Sequence, residues 1–457
     1  MDPRTPPGLP GLPPPFLGTA IVGHGRATAG IDAYGSVVDL RVPGPAGRAL
    51  IAVSPERQAA GSVAAGSGIV ARASPDLGSP PFWRADSVEQ RYLPGTNVLR
   101  TMARFGGRKA VVLRSFGGLA AASADRRWLA RARPLAAEAP AWGRAMYERS
   151  LLALRAMTDR RTGAVVAGAR EGWAYVWPRD AGAVAIALAA AGYRPEARRV
   201  ARFLLGLDLD AAARFSGTGK PVAGRGAQGD AAGWVAAAVR AAGLDWNGVP
   251  RQPRVVSTDR PPRAVVAGEW TDLVDYQEKG PGDHLGNAIA AGVDSLRIRE
   301  AFASRRGLLR RAGDPSSGLD SAAAWAMRPF SQPGLHPAVS RTLLSLTAHS
   351  SRFGLLPSED WAGGDDPWTA PTAWTAWSLA ALSRRDRRAG FHATARRERR
   401  AALRLVAALR RAATPLGLLP ERVDARTGLP RSTTPLAWSH AFAILALREL
   451  WPGRAAA

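Results

Sequence analysis

Two textures divide the chain. From about Ala141 onward, apolar side chains recur every three to four positions in segments such as RAMYERSLLALRAM, EARRVARFLLGL, RRERRAALRLVAALRRAA and WSHAFAILALREL, the spacing of one helix face. Several of these segments end at or just before Gly or Pro, as helix C-caps do. Between about residues 18 and 118 the pattern is different. Short β-branched runs punctuated by Gly (GTAIVGHGRATAGIDAYGSVVDL, RALIAVS, VLRTMARFG, AVVLRSFGG) predict strands and tight turns. The expectation is a proline-rich lead over 1–16, a small β-sandwich-like domain over 17–120, a linker over 121–140 and a helical domain over 141–457.

The helical part repeats. GLLPSEDWAGGDDPWTAPTAWTAWSLAAL begins at Gly354, and GLLPERVDARTGLPRSTTPLAWSHAFAILAL begins at Gly417. Each runs from Gly-Leu-Leu-Pro past a glutamate and a polar loop to Pro-x-Ala-Trp and an Ala/Leu helix. The period of about sixty residues contains two helices, so the repeated unit is a helical hairpin. The roughly 320 residues from Ala141 hold five or six such hairpins. Polar, aromatic loops recur on one side of the pattern, and no capping repeat with a polar outer face stands out. The fold expected is therefore mainly α: a closed (α/α)6 barrel with its site at the loop end, preceded by the small β-sandwich-like domain.

Composition narrows the function classes. Apolar residues make up 46% of the 457, as in ordinary globular domains, and there is no cysteine for a disulfide, a thiolate metal site or a cysteine nucleophile. The net charge of +25 invites a nucleic-acid reading. Against it, almost every basic residue is Arg (Lys109, Lys220 and Lys279 are the exceptions) and they spread along the whole chain, which fits a coding bias and solvated helix faces. No run of apolar residues approaches a membrane span, and the start MDPRTPPGLPGLPPPFLG lacks the layout of a signal peptide. The expectations are a cytoplasmic protein with no nucleic-acid or membrane partner, no metal and no cofactor.

Candidate chemistry gathers in the loops. In EGWAYVWPRDAGAVAIALAAAGY, starting at Glu171, the aromatic residues Trp173, Tyr175 and Trp177 alternate up to Pro-Arg-Asp, where a helix begins. Asp180 is expected as its N-cap or a first-turn residue. Aromatic faces stack on the C–H face of a sugar while Arg179 and Asp180 bind its hydroxyls; the same residues fit a capped helix with core aromatics.

Trp-x-Arg-Asp before a helix, then Gly-Asp-Asp-Pro-Trp-Thr-Ala-Pro-Thr-Ala-Trp, Leu-Leu-Pro-Glu and Thr-Pro-Leu-Ala-Trp-Ser-His, resemble in type and order glycoside hydrolase family 15, the glucoamylase-like family. The resemblance spans about Ala141 to Trp451. It implies an inverting, exo-acting hydrolase that releases glucose from an α-linked glucoside of α-1,4, α-1,6 or trehalose type. Such an enzyme needs two carboxyl groups roughly 6.5–9.5 Å apart, one to protonate the leaving oxygen and one to activate water. By this resemblance Glu421 is the general base; its bland alternative is a loop glutamate paired with Arg422. The general acid is placed at Glu278 in Asp275-Tyr276-Gln277-Glu278-Lys279, where the family carries Trp and Glu in place of Gln277 and Lys279. A neighbouring lysine favours the ionised carboxylate, the wrong direction for an acid, so Glu269 is the alternative. Trp177, Arg179, Asp180, Tyr175, Asp275, Glu359, Asp360 and Trp368 are the implied substrate-binding residues. Where the family has an Arg three residues before Glu359, this chain has Leu356. These departures keep open a second reading, a saccharide-binding member that does not hydrolyse.

Overall fold

The computed structural model describes residues 20–23, 28–35, 37–41, 50–51, 82, 85–115, 118–169, 172–244 and 284–453. Two small antiparallel sheets come first. Strands β1 (Ala20–Gly23), β2 (Thr28–Ile31), β3 (Val37–Arg41) and β4 (Leu50–Ile51) pair in sequence order, as do β5 (Ser87–Tyr92), β6 (Leu99–Phe105) and β7 (Arg108–Arg114). The central strand β6 is the buried one of its sheet, whereas β5 and β7 alternate exposed and half-buried positions. Buried and exposed positions alternating along a strand mark a sheet with one wet face. The sheets meet where the Tyr92 hydroxyl donates to the Ile21 carbonyl (2.7 Å) and accepts from the Ile21 N–H (2.9 Å).

The segment read as a linker begins instead with helix α1 (Gly118–Leu129). The Ala-rich run GLAAASADRRWL has good helix formers and sinks Ala122, Asp125 and Trp128. Asp125 accepts from the Asn97 N–H (2.8 Å) and from Arg155 Nε (2.9 Å) in the next helix, so a buried carboxylate joins sheet, α1 and barrel. The composition of the segment gave no hint of that tie.

Beyond it the helices alternate between two kinds. Amphipathic helices are α2 (Ala141–Met157), α4 (Arg194–Leu205), α7 (Ser295–Phe302), α8 (His336–Ala348) and α10 (His392–Ala412). In α4, Ala197, Val200, Ala201, Leu204 and Leu205 are buried while the arginines face out, a stripe recurring at i, i+3, i+4, i+7. The other kind is buried almost all round: α3 (Pro178–Ala190), α5 (Ala231–Ala242), α6 (Leu285–Ala290), a 3-10 helix (Ser321–Ala326), α9 (Thr369–Arg388) and α11 (Ala437–Leu450). Each of these six packs on the next, and α11 packs back on α3, closing a ring. The amphipathic helices form its outer wall, as the repeat predicts. The fourth inner position differs from expectation: SAAAWA has no apolar period, and it winds as a single 3-10 segment.

Close approach of the inner helices depends on small residues. Gly182 of α3 faces the Trp234 carbonyl of α5, and Gly233 of α5 faces the Ala290 backbone of α6. The axis of the ring is filled by rings in edge-to-face contact: Trp234 on Trp325 (5.1 Å), Trp325 on Trp374 (5.5 Å) and Trp374 on Trp438 (5.3 Å), with Phe442 against Trp374 (5.5 Å). These rings plug the barrel along its axis.

Candidate active site

All six inner elements start at one end of the barrel, so their unpaired backbone N–H groups and positive dipole ends share a mouth. Polar residues crowd those starts. In α3 the extended Trp177 precedes Pro178 at the first helical position, which places Asp180 in the first turn and leaves the cap itself to Trp177. Arg179 is 4% exposed. Its guanidinium donates to Gln228 Oε1 (3.1 Å) and Asp230 Oδ2 (3.2 Å), lies 3.7 Å from Asp180 and stacks over Trp438 at 4.8 Å. Four side chains therefore orient one cation. Tyr175 and Trp177 meet edge-on at 6.4 Å, and Arg214 lies over both rings, at 4.7 and 5.9 Å.

Glu421 follows the second Gly-Leu-Leu-Pro turn and is 8% exposed. Arg422 lies 3.7 Å from Asp366. One Glu421 carboxylate oxygen accepts from the Trp173 indole N–H (3.2 Å), and the other accepts from the Ser432 hydroxyl. Its backbone begins a hairpin: Glu421 N–H to Thr433 O (3.0 Å) and Arg431 N–H to Arg422 O (2.8 Å). The turn of that hairpin is tied by Asp424, which accepts from Arg431 (2.6 Å) and from the Thr427 N–H (2.8 Å) and hydroxyl (2.8 Å). These bonds, that of Arg431 foremost, hold the Asp424 carboxyl well below the usual carboxylate range. Ser432 has φ +114, unusual for a residue with a Cβ. Strain of this kind persists where the surroundings over-determine it, and here it aims a hydroxyl at Glu421.

The two Gly-Leu-Leu-Pro turns make similar contacts one residue out of register. The Leu355 N–H is taken by Thr372 Oγ1 of α9 (2.9 Å), and the Leu419 N–H by His440 Nε2 of α11 (3.0 Å). The carbonyl of Pro357 takes the N–H of Ser321 (3.0 Å), and that of Glu421 takes the N–H of Thr369 (3.0 Å), each the first residue of the preceding inner helix. Each turn thereby caps one inner helix and anchors to the next. His440 can serve because it is fully buried; desolvation, then Arg149, pushes its pKa down to about 3, so Nε2 stays an acceptor while Nδ1 bonds Ser150 (2.9 Å).

The acidic residues behind the turns differ in their surroundings. Glu359 accepts from Arg306 (3.1 Å) and the Leu319 N–H (3.0 Å), and Asp360 lies 3.1 Å from Arg310. Trp368 is buried, pairs by backbone with Leu355 and Arg422, and meets Trp361 edge-on at 5.5 Å. The structure thus brings together Trp177, Arg179, Asp180, Tyr175, Glu421 and Trp368 around the mouth, while Glu359 and Asp360 are engaged with Arg306 and Arg310 at its side. Glu269, Asp275 and Glu278 lie outside the described residues. Sequence reasoning passed over Asp230, Trp438, Ser432, Asp424 and Arg310 as site residues. The turn signature Asp-x-x-Thr-Gly could have flagged Asp424, and Gln228-x-Asp230 was visible as a fragment. Among the described residues no group of three or more His, Asp or Glu could hold a metal ion, and no helix is long and apolar enough to cross a membrane.

Residues 142–207 match the family model described as glycosyl hydrolases family 15. Solved structures with the same fold include a glycosidase (17% identity over 71% of this chain and 98% of that one, TM-score 0.53), a bacterial glucoamylase complexed with acarbose (16%, 72% and 58%, TM-score 0.54) and the glucoamylase of Saccharomycopsis fibuligera (14%, 69% and 96%, TM-score 0.52). No curated protein matches the chain by sequence. The closed ring of helical hairpins is the (α/α)6 fold that these solved structures share. The family-model match covers the stretch that holds α2, α3 and α4, and over it the chain is similar to the glycosyl hydrolases family 15.

Proposed function

We propose that the protein is an inverting, exo-acting hydrolase that releases glucose from the non-reducing end of an α-linked glucoside. The observation that carries this reading is the setting of Glu421: a nearly buried carboxylate at the barrel mouth, oriented by Trp173 and Ser432, beside the Arg179 cluster. In the proposed reaction the terminal sugar lies against Trp177 and Tyr175, its hydroxyls bound by Asp180 and the Arg179 guanidinium. Glu421 takes a proton from water as that water attacks the anomeric carbon. The second carboxyl protonates the departing oxygen; by resemblance this is Glu278, with Glu269 as the alternative. Water adds from the face opposite the leaving group, so the product anomer is inverted. A glycosidase of the same fold was solved in complex with glucose and a bacterial glucoamylase with acarbose, which supports a carbohydrate substrate here.

The test is to supply maltose, isomaltose and trehalose and to follow the anomer released by NMR. β-Glucose appearing first from maltose or isomaltose, equal α- and β-glucose from trehalose, and turnover abolished in Glu421→Gln with binding retained, is the expected result. α-Glucose appearing first from maltose or isomaltose, or α-glucose alone from trehalose, would refute inversion. Saccharide binding without turnover in the unmodified protein would leave a binding protein.

A further inference from the structure

The outer wall carries a cleft of about 690 Å³ that the proposed reaction does not use. It runs over α8 and the junction of α9 with α10, and four arginines line it: Arg306, Arg341, Arg385 and Arg397. Two of the four are already engaged, Arg306 with Glu359 (3.1 Å) and Arg385 with Asp386 (3.0 Å). Among the described residues Arg341 and Arg397 have no ion-pair partner, and both are exposed. Asp386 is the carboxylate in the lining. Glu398 lies beneath it, fully buried and bonded to Ser340 (2.6 Å). Burial pushes the Glu398 carboxyl up to about 7, so below that pH the floor adds no second negative charge. Asp386 is 17 residues along α9 from Thr369, which puts that part of the cleft about 25 Å from the mouth. The lining also includes Phe391, 61% exposed, with Leu344 and Pro337 as apolar floor.

We propose that this cleft binds a small molecule carrying two or more clustered phosphate groups, held by Arg341 and Arg397. Guanidinium groups match phosphate oxygens with paired hydrogen bonds, and arginines without carboxylate partners are free to make them. The volume falls in the range of small-ligand sites. An exposed aromatic ring on the lining adds a surface for a flat base or sugar. The shared chemistry is the polyphosphate; tripolyphosphate and ATP separate a bare chain from a nucleotide.

The experiment is calorimetric titration of the full chain with each probe at low and moderate salt. The comparison is with Arg341→Gln/Arg397→Gln and with a control, Arg127→Gln/Arg202→Gln, that removes the same charge from exposed positions elsewhere. Saturable binding that weakens at least tenfold in the first variant and less than twofold in the control is expected, with sugar hydrolysis unchanged in both. Phe391→Ala weakens ATP and leaves tripolyphosphate unaffected if the ring is read, which names a nucleotide; equal loss names the phosphate chain alone. No binding at millimolar probe, or equal weakening in the two double variants, overturns the proposal and leaves only diffuse attraction to a basic surface.

Discussion

Gly233 offers the sharpest test of how the barrel is built. It lies in α5, three residues after Asp230, with α6 directly against it. A methyl group built there would stand 2.6 Å from the carbonyl carbon of Ala290 and closer still to its oxygen. Carbon atoms rest at about 3.5–4.0 Å, so α5 and α6 must separate by roughly 1 Å, and no side-chain rotation can relieve a clash with backbone. Overpacking of this kind costs about 3 kcal/mol at the upper end of the usual range. Against this, alanine is the better helix former by about 1 kcal/mol. The net expectation for Gly233→Ala is a loss of about 2 kcal/mol. With an unfolding entropy on the order of 1 kcal/mol/K for a chain this long, Tm falls by about 2 °C. Scanning calorimetry reads it against Gly143→Ala in α2, where the nearest atoms to an added methyl are side-chain atoms, Pro140 Cγ (3.3 Å) and Cδ (3.5 Å) and Leu447 Cδ2 (3.7 Å), the first of which must yield by a few tenths of an ångström. That variant should lose less stability than Gly233→Ala. If Gly233→Ala matched or exceeded the unmodified protein in Tm, close packing of α5 on α6 would be refuted as the reason for the glycine. Since α5 also carries Asp230, turnover should fall with it.

Other outcomes follow from single contacts. Asp125→Ala leaves the buried Arg155 without its carboxylate and should cost about 3–5 kcal/mol in urea unfolding; a loss under 1 kcal/mol would show the pair to be incidental. Trp173→Phe keeps the ring and deletes the donor to Glu421, so kcat should drop at least tenfold with KM little changed, whereas a rise in KM alone would assign Trp173 to binding. His440 titrates near 3 in the fold against 6.5 when unfolded, so it contributes stability above pH 6.5 that is lost as pH falls toward 3; His440→Gln should lower that acid sensitivity in a Tm-versus-pH series. Glu398 has the opposite sign. Its raised pKa favours the protonated fold, so stability declines between about pH 4.5 and 7, and the Glu398→Gln variant should not show that decline.

The ring was legible because its outer helices must keep an apolar stripe and its hairpins repeat. EARRVARFLLGL announces α4 directly, and the doubled Gly-Leu-Leu-Pro announces a turn used twice. What the sequence concealed were contacts between distant residues. Nothing near Glu421 points to Trp173, 248 residues away, or to a strained serine. Nor does a run such as SAAAWA state that Trp325 will stand on the barrel axis, since alanine permits any face. Gly307-Leu308-Leu309 went unnoticed as a third, partial copy of the turn. Its Leu308 N–H is held by Thr342 Oγ1 (2.8 Å), just as that of Leu355 is held by Thr372 (2.9 Å). It lacks the proline that made the other two conspicuous.

The contact of α11 with α3 and α2 has a consequence for how the molecule comes into being. Ring closure joins residues near 150 to residues near 440, among the longest separations in the chain. Contacts of such separation form late, because a long loop must first be ordered. During synthesis the apolar flank of α3 therefore waits, uncovered, for several hundred residues to emerge. At about 5–20 residues per second, that interval is tens of seconds, long enough for chaperones to engage the exposed flank. Successful production of this protein should thus depend more on protecting an open half-ring than on the stability of the closed one.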